Sequence, residues 1–389
     1  MPDGANTATN YRSPWLDDEL ESFRSTVRRF LTDVLAPREP AWQQAHQVDA
    51  TSWREMGTMG LLLCGTPDEY GGSGGTFAHD CIVFEEMAYA GVVSLGKSVH
   101  NICAHYIERY GTEEQKQRWL PRMASGELVG AIAMSEPAAG SDLQGIRTRA
   151  VRSGDRYVID GSKTFITNGQ VANMIMLVAK TDTAAGGAKG ISLVMVETDG
   201  LEGFRRGRPL DKIGMPGQDT SELFFDDCRV PADALLGGAE GRGFAQMMEE
   251  LPYERTIVAL WAVADMERAV RLTTEYVRER KAFGKALIEM QNTRFKLAEA
   301  KTITHVSRVF IDSCIQRYLD GTLDTATASM AKWWLTDMQC KVIDECLQLF
   351  GGYGYMRDYP IARMYADARV QRIYGGTNEI MKEIIARTL

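Results

Sequence analysis

Leu251-Pro252-Tyr253-Glu254-Arg255 runs straight into Ile257-Val258-Ala259-Leu260-Trp261-Ala262-Val263-Ala264. The stretch opens after Gly241-Arg242-Gly243 and keeps a helical pattern from about Phe244 to Arg280, with apolar residues on almost every face. A helix that is apolar all round is buried on all sides, which places this one at the centre of the molecule. Pro252 frees a backbone carbonyl and is expected to kink or restart the helix beside Glu254. A carboxylate leading into a buried run has to be paired, hydrated or functional. Taken alone, Glu254 reads most simply as a helix-capping or arginine-paired residue. What argues otherwise lies more than a hundred residues downstream.

Working outward, the periodicity divides the chain in three. Residues 1–130 read as helices. Glu19 to Leu35 has helical spacing and is expected to end at Pro37 and Pro40, and Trp53 to Leu63 forms a second short helix. Further helical patterns cover Ala78–Ala88 and Val99–Tyr110, and Thr112-Glu113-Glu114-Gln115 is a capping box for a helix that Pro121 closely follows. The Gly-rich run Pro67 to Gly75 lacks the strand-then-helix setting of a phosphate loop and reads as a connector. Residues 131–240 read as a mostly antiparallel β domain. Arg147 to Thr167 alternates, with turns at Gly154-Asp155 and Asp160-Gly161, and Met174–Lys180, Ile191–Glu197 and Glu222–Asp226 are further β-rich runs. Residues 241–389 return to long helices, Asn292–Leu319 and Leu323–Phe350 among them, joined by short connections as in an antiparallel four-helix bundle. The fold class is therefore α+β and multidomain: helices, then sheet, then helices.

Composition narrows the function. The 44% hydrophobic and 25% charged content is that of an ordinary globular protein, and a net charge of −8 without a basic tract argues against a nucleic-acid partner. No apolar run reaches bilayer-spanning length, so no membrane span is expected. Met1 to Ala5 has neither a signal peptide's apolar core nor a transit peptide's arginines; a bacterial cytoplasmic protein is expected, with a mature mitochondrial form the alternative. The seven cysteines form no CxxC pair and the five histidines show no metal spacing, so no metal site is expected.

Several short motifs are individually weak and collectively specific. Ser135-Glu136-Pro137-Ala138-Ala139-Gly140-Ser141-Asp142, Phe165-Ile166-Thr167-Asn168-Gly169, Arg280-Lys281-Ala282-Phe283-Gly284, Gln348-Leu349-Phe350-Gly351-Gly352 and Tyr374-Gly375-Gly376-Thr377-Asn378-Glu379 occur in one order along the chain. In order and spacing they resemble the acyl-CoA dehydrogenase family over nearly the whole chain, and the run Tyr374 to Glu383 looks most like the long-chain branch. The resemblance implies FAD between the middle and C-terminal domains of a three-domain fold. Met134, Ser135 and Ser141 would line the flavin and its ribityl chain, Phe165 would pack on the isoalloxazine with Ile166 beside it, and Thr167 would hydrogen-bond the ring. Arg280, Phe283, Gln291, Gln348, Gly351 and Gly352 would hold the pyrophosphate and adenosine end, largely in a neighbouring subunit. Thr377, Asn378 and Glu379 would complete the cofactor site. A homotetramer, as a dimer of dimers, is implied as well.

The resemblance also explains Glu254. Many relatives carry a catalytic glutamate directly after the tyrosine of the last motif, where this chain has Gly375. Long-chain and isovaleryl relatives supply that carboxylate from the central helix, in a Glu-Arg pair placed as Glu254-Arg255 is here. The implied reaction is α,β-dehydrogenation of an acyl-CoA, of a medium- or long-chain fatty acid in β-oxidation, with Glu254 taking the α-proton. The Gly375 N–H would polarise the thioester oxygen. Ser141, Lys189, Tyr253, Arg255, Gly375 and Gly376 are assigned to the substrate site, although Arg255 points elsewhere on a helix and is expected to be structural. Electron-transfer flavoprotein is the implied acceptor, because the oxidases of the fold are longer chains than one ending at Leu389. Two alternatives stand beside this reading: a branched, aromatic or steroid-derived thioester, and an inactive flavin-binding scaffold suggested by Gly375.

Overall fold

The computed structural model describes residues 11–389; Met1 to Ala5, and with them the reading of the N-terminus, lie outside the described residues. Helix α1 (Asp18–Phe30) is capped by Asp17, whose carboxylate accepts from the Leu20 N–H. The helical path does not end at Pro37. It passes through a π turn (Leu31–Leu35) and a 3-10 turn (Ala36–Arg38) into α2 (Glu39–Ala45), whose first turn holds Pro40. Proline is tolerated there because the N–H it lacks has no intrahelical partner in a first turn. Helices α3 (Ala50–Thr58), α4 (Phe77–Ala90), α5 (Lys97–Tyr110) and α6 (Glu113–Ala124) follow. The Thr112–Gln115 capping box forms as expected, at 3.0 and 3.3 Å, while Pro121 lies inside α6 rather than after it.

Seven strands come next: β1 (Gly130–Ala133), β2 (Arg149–Ser153), β3 (Arg156–Thr167), β4 (Met174–Lys180), β5 (Ile191–Glu197), β6 (Phe204–Pro209) and β7 (Thr220–Pro231). They form one sheet in the order β1-β4-β2-β3-β7-β6, with β5 also paired to β4. Pairing is antiparallel except where β4 meets β1 and β2. Strand β4 is buried on both faces: Met174, Met176 and Val178 join the helical core, while Ile175, Leu177 and Ala179 join the sheet's own core. That is why it reads as an unbroken apolar run. The turn expected at Asp160-Gly161 is instead a bulge within β3, where the register with β7 shifts. Gly161 has φ +149°, and a Cβ there would lie 2.5 Å from Thr148 Oγ1. Only glycine permits that approach.

Helix α7 (Gly243–Glu279) has 37 residues and runs on through Pro252 without restarting. A proline inside a helix costs about 3 kcal/mol; burial of Ile257, Ala259, Leu260, Ala262, Val263 and Ala264 offsets it. A small hairpin of β8 (Lys281–Ala282) and β9 (Lys285–Ala286) leads to α8 (Gln291–Leu319) and α9 (Thr325–Leu349). Helices α7, α8 and α9 pack against one another, and the shorter α10 (Pro360–Ala368) and α11 (Asn378–Ala386) pack on α9.

A buried charge lattice ties the first helical group to the last. Arg308 of α8 pairs with Glu85 of α4, with Glu267 of α7 at 2.8 Å and with Asp312 at 3.4 Å. Arg24 of α1 reaches Glu85 at 2.8 Å and Glu86 at 3.2 Å. Burial would raise the Glu85 carboxyl, but the two guanidiniums hold it below its ordinary value. Asp312 also accepts from Tyr11, Ser13 and Trp15, which pins the start of the described chain to α8. Removing one partner of such a lattice strands the others. Arg308→Met is expected to cost about 3–5 kcal/mol, read as a lowered urea or thermal midpoint; an unchanged midpoint contradicts the account.

Candidate active site

Glu254 lies on α7 at 8% exposure, and its Oε1 accepts a 2.8 Å hydrogen bond from the Tyr106 hydroxyl of α5. Burial pushes its carboxyl up to about 7, against the lowering effect of that bond and of Arg255; the neighbouring Glu250 adds to the rise. Tyr253, one residue earlier, stacks on His105 at 4.1 Å and packs on Phe77 and Tyr318. Burial thus gives the Glu254 carboxyl a proton affinity suited to exchange near neutrality.

The last motif comes to the same place. A Cβ on Gly375 would meet only Val258 Cγ2, at 3.8 Å, and Val258 lies one turn beyond Glu254 on α7. Gly375 has φ +64°, which disfavours a side chain there, and among the described residues its N–H has no protein acceptor. Gly376 is tighter: a Cβ would lie 2.7 Å from Met381 Cε. Below the loop, the fully buried Lys332 donates to the Gly376 carbonyl at 2.7 Å and to Asn378 Oδ1 at 2.9 Å. Arg255 is buried and turns from Glu254 toward α9, bonding Ser329 Oγ at 3.0 Å. The side chain of Asn378 is taken up by Lys332, Thr336, Trp333 and Asp337, while the Thr377 hydroxyl caps α11. Glu379 is exposed.

The loop and strand motifs are joined by a residue that sequence reasoning missed. Lys163, fully buried on β3, donates to the Met134 carbonyl and to Glu136 Oε1, both at 2.9 Å. Thr164 N–H bonds the Ser135 carbonyl at 2.9 Å. Met134 and Ser135 are thus clamped beside Phe165, while Ser141 sits exposed farther along the loop. Phe165 is unusual for a strand aromatic: a register shift between Lys163 and Ile166 and a φ of +60° leave its ring 70% exposed. Ile166 next to it is buried in the sheet core, so only its backbone is available to a ligand. Thr167 is half-buried at the strand end, and Lys189 is exposed in a turn whose carbonyl packs on Gly241.

A second group gathers at the far end of α7. Arg280, Gln348, Gly351 and Gly352 line a surface cavity of about 610 Å³ with Tyr276, Thr293 and Tyr353. Phe283 is almost fully exposed on the hairpin tip and Gln291 is exposed at the start of α8. Along a helix rising about 1.5 Å per residue, Arg280 stands about 39 Å from Glu254. One dinucleotide cannot touch both ends of α7 in the same subunit.

Tyr106, Lys163, Lys332 and the Glu250–His105 pair carry no linear motif. Glu250 alone left a trace, as a second acid one turn before Glu254 in a buried helix.

Glu254, with its raised carboxyl, and the Gly375 N–H, unbonded among the described residues, thus lie on either side of Val258. Residues 17–127, 131–228 and 241–389 match, respectively, the N-terminal, middle and C-terminal domains of acyl-CoA dehydrogenase. The mouse mitochondrial long-chain specific acyl-CoA dehydrogenase is 48% identical over 95% of this chain and 86% of its own length. An acyl-CoA dehydrogenase from Geobacillus kaustophilus superposes with a TM-score of 0.94 at 46% identity, covering 97% of this chain and 99% of that one. A glutaryl-CoA dehydrogenase from Mycobacterium smegmatis, solved in complex with FADH2, gives a TM-score of 0.87 at 28% identity, covering 96% and 95%. The chain belongs to the acyl-CoA dehydrogenase family of flavoprotein oxidoreductases.

The raised Glu254 carboxyl carries a stability signature. Its folded value, about 7, lies above the ordinary 4.5, so the stabilisation it gives is complete below about 4.5 and lost as pH rises through 7. Glu254→Gln abolishes this dependence. The variant is expected to match the parent near pH 4.5 and to exceed it at pH 8 by at most about 3 kcal/mol. Unfolding midpoints across pH check this, and a parallel pair of curves counts against a buried, neutral Glu254.

Proposed function

We propose that this chain is an FAD-dependent dehydrogenase that converts a medium- or long-chain fatty acyl-CoA to its trans-2-enoyl-CoA in β-oxidation, with Glu254 as the base. The carrying observation is the meeting of Glu254 and Gly375 across Val258, since the base and the donor for the thioester must face one volume. The identity to a long-chain relative supports the chain class.

The residues present fit a flavin. Phe165 offers an exposed aromatic plane held out of its own sheet, and Met134, Ser135 and Thr167 stand in the same segment pair. The Arg280, Gln348, Gly351 and Gly352 cavity would take the pyrophosphate and adenosine end, because a guanidinium offers forked donors to phosphate oxygens. Its distance from Glu254 supports a cofactor shared between two copies and hence an oligomer, a dimer of dimers in our reading. When bound, the flavin supplies the acceptor for the hydride leaving Cβ.

The chain's own residues do the rest. Glu254 in its ionised form takes the proton from Cα, and Tyr106 orients the carboxylate. The Gly375 N–H donates to the thioester oxygen as enolate charge develops; a preorganised donor of this kind contributes about 2.7–4 kcal/mol. Lys332 fixes that donor by holding the Gly376 carbonyl. Tyr253, a candidate for the substrate site, is held by packing on Phe77 and Tyr318. Ser141 and Lys189 are candidates for the CoA moiety, and Arg255 acts by packing beneath the last motif. We take electron-transfer flavoprotein as the electron acceptor and a bacterial cytoplasm as the location.

Glu254→Gln decides the assignment. The variant is expected to purify with the parent's flavin content yet lose at least about 1000-fold in the rate of acyl-CoA oxidation, roughly 4 kcal/mol of barrier. Retention of most turnover would make Glu254 a structural residue.

A further inference from the structure

Glu250 sits one turn before Glu254 on the same face of α7 and is 5% exposed. Residues four apart on a helix have Cβ atoms about 6 Å apart, and two acids so placed in a protein interior are not accidental packing. Glu250 is held from α5: His105 Nε2 lies 2.7 Å from Oε2, the Tyr110 hydroxyl donates to Oε1 at 2.7 Å, and Arg109 stands at 3.5 Å. Its neighbour Tyr106 holds Glu254. One face of α5 thus addresses both carboxylates, with donors in surplus on Glu250 and a single hydroxyl on Glu254.

Resting on the assignment of Glu254 as the base, we propose that Glu250 is a positioning residue for it: a fixed anion, clamped by His105, Tyr110 and Arg109, that biases the base toward taking the substrate proton. Nearest Glu254 are the Tyr106 hydroxyl from α5 and the charge of Arg255 on α7, whose side chain turns toward α9, with His105 next out; Lys332 of α9 lies beyond Arg255. Facing Glu250 are His105, Arg109 and Tyr110 from α5, Tyr318 from α8 and Glu249 beside Tyr110. Burial would raise the Glu250 carboxyl, but the bonds to His105 and Tyr110 and the nearby Arg109 guanidinium hold it below its ordinary value. Its charge then disfavours a second anion at Glu254, so the two carboxyls divide their roles: one stays ionised, the other exchanges a proton near neutrality. A residue that merely packed the helix would have no effect on the titration of its neighbour.

The test is the pH profile of anaerobic flavin bleaching by a saturating fatty acyl-CoA, using the flavin-loaded enzyme. Glu250→Gln removes the charge and is expected to move the acidic limb toward lower pH by about half a unit or more, with a slower plateau because the base is weaker. Glu250→Asp keeps the charge and is expected to restore the limb. Arg109→Gln, at a side chain 62% exposed and safe for folding, is expected to move the limb the opposite way. An unmoved limb in Glu250→Gln, equal behaviour of the Gln and Asp variants, or no upward movement in Arg109→Gln overturns the proposal. If Glu254→Gln itself keeps turnover, the base assignment has failed instead.

Discussion

Everything near the site depends on keeping the Glu254 carboxylate in the protein interior. A lone buried ion would cost more than the fold can offset, so the group survives by taking up its proton more readily and by accepting a single hydroxyl. The long helix α7 supplies the buried position, α5 supplies Tyr106, and Gly375 of the last motif leaves open space where a side chain would otherwise stand. The charge lattice around Arg308 holds α4, α7 and α8 together, which keeps that position in place.

The sheet and the far end of α7 follow a different constraint. Lys163 ties the loop bearing Met134 and Ser135 to β3, and the shift beside it turns Phe165 outward. The Arg280 and Gln348 cavity lies at the other end of a rod too long for one ligand to span. In our reading both halves serve one extended cofactor only when two copies of the chain meet, which would make assembly a condition of activity.

Much of this was legible in the sequence because periodic burial writes itself into residue order. The all-round apolar face of α7, the double-faced run of β4 and the Thr112 cap each appear as local patterns. Misreadings came where a local rule met tertiary packing. Pro252 did not restart α7, Pro37 and Pro40 lie within a helical path rather than ending it, and Gly161 made a bulge rather than a turn. The motif positions pointed to the right segments but not to the role of each side chain, as Ile166 and Asn378, both turned inward, illustrate. Tyr106, Lys163 and Lys332 were invisible because their partners lie tens to more than a hundred residues away, and only folding brings them together.

The most direct measurement is an anaerobic titration of the purified protein with acyl-CoAs of graded chain length, following the absorbance of bound flavin. The account predicts prompt bleaching by a straight-chain thioester, strongest for medium or long chains. A bound flavin that stays oxidised with every straight-chain thioester would contradict it, and would move the assignment to an unusual acyl group or to a scaffold without turnover.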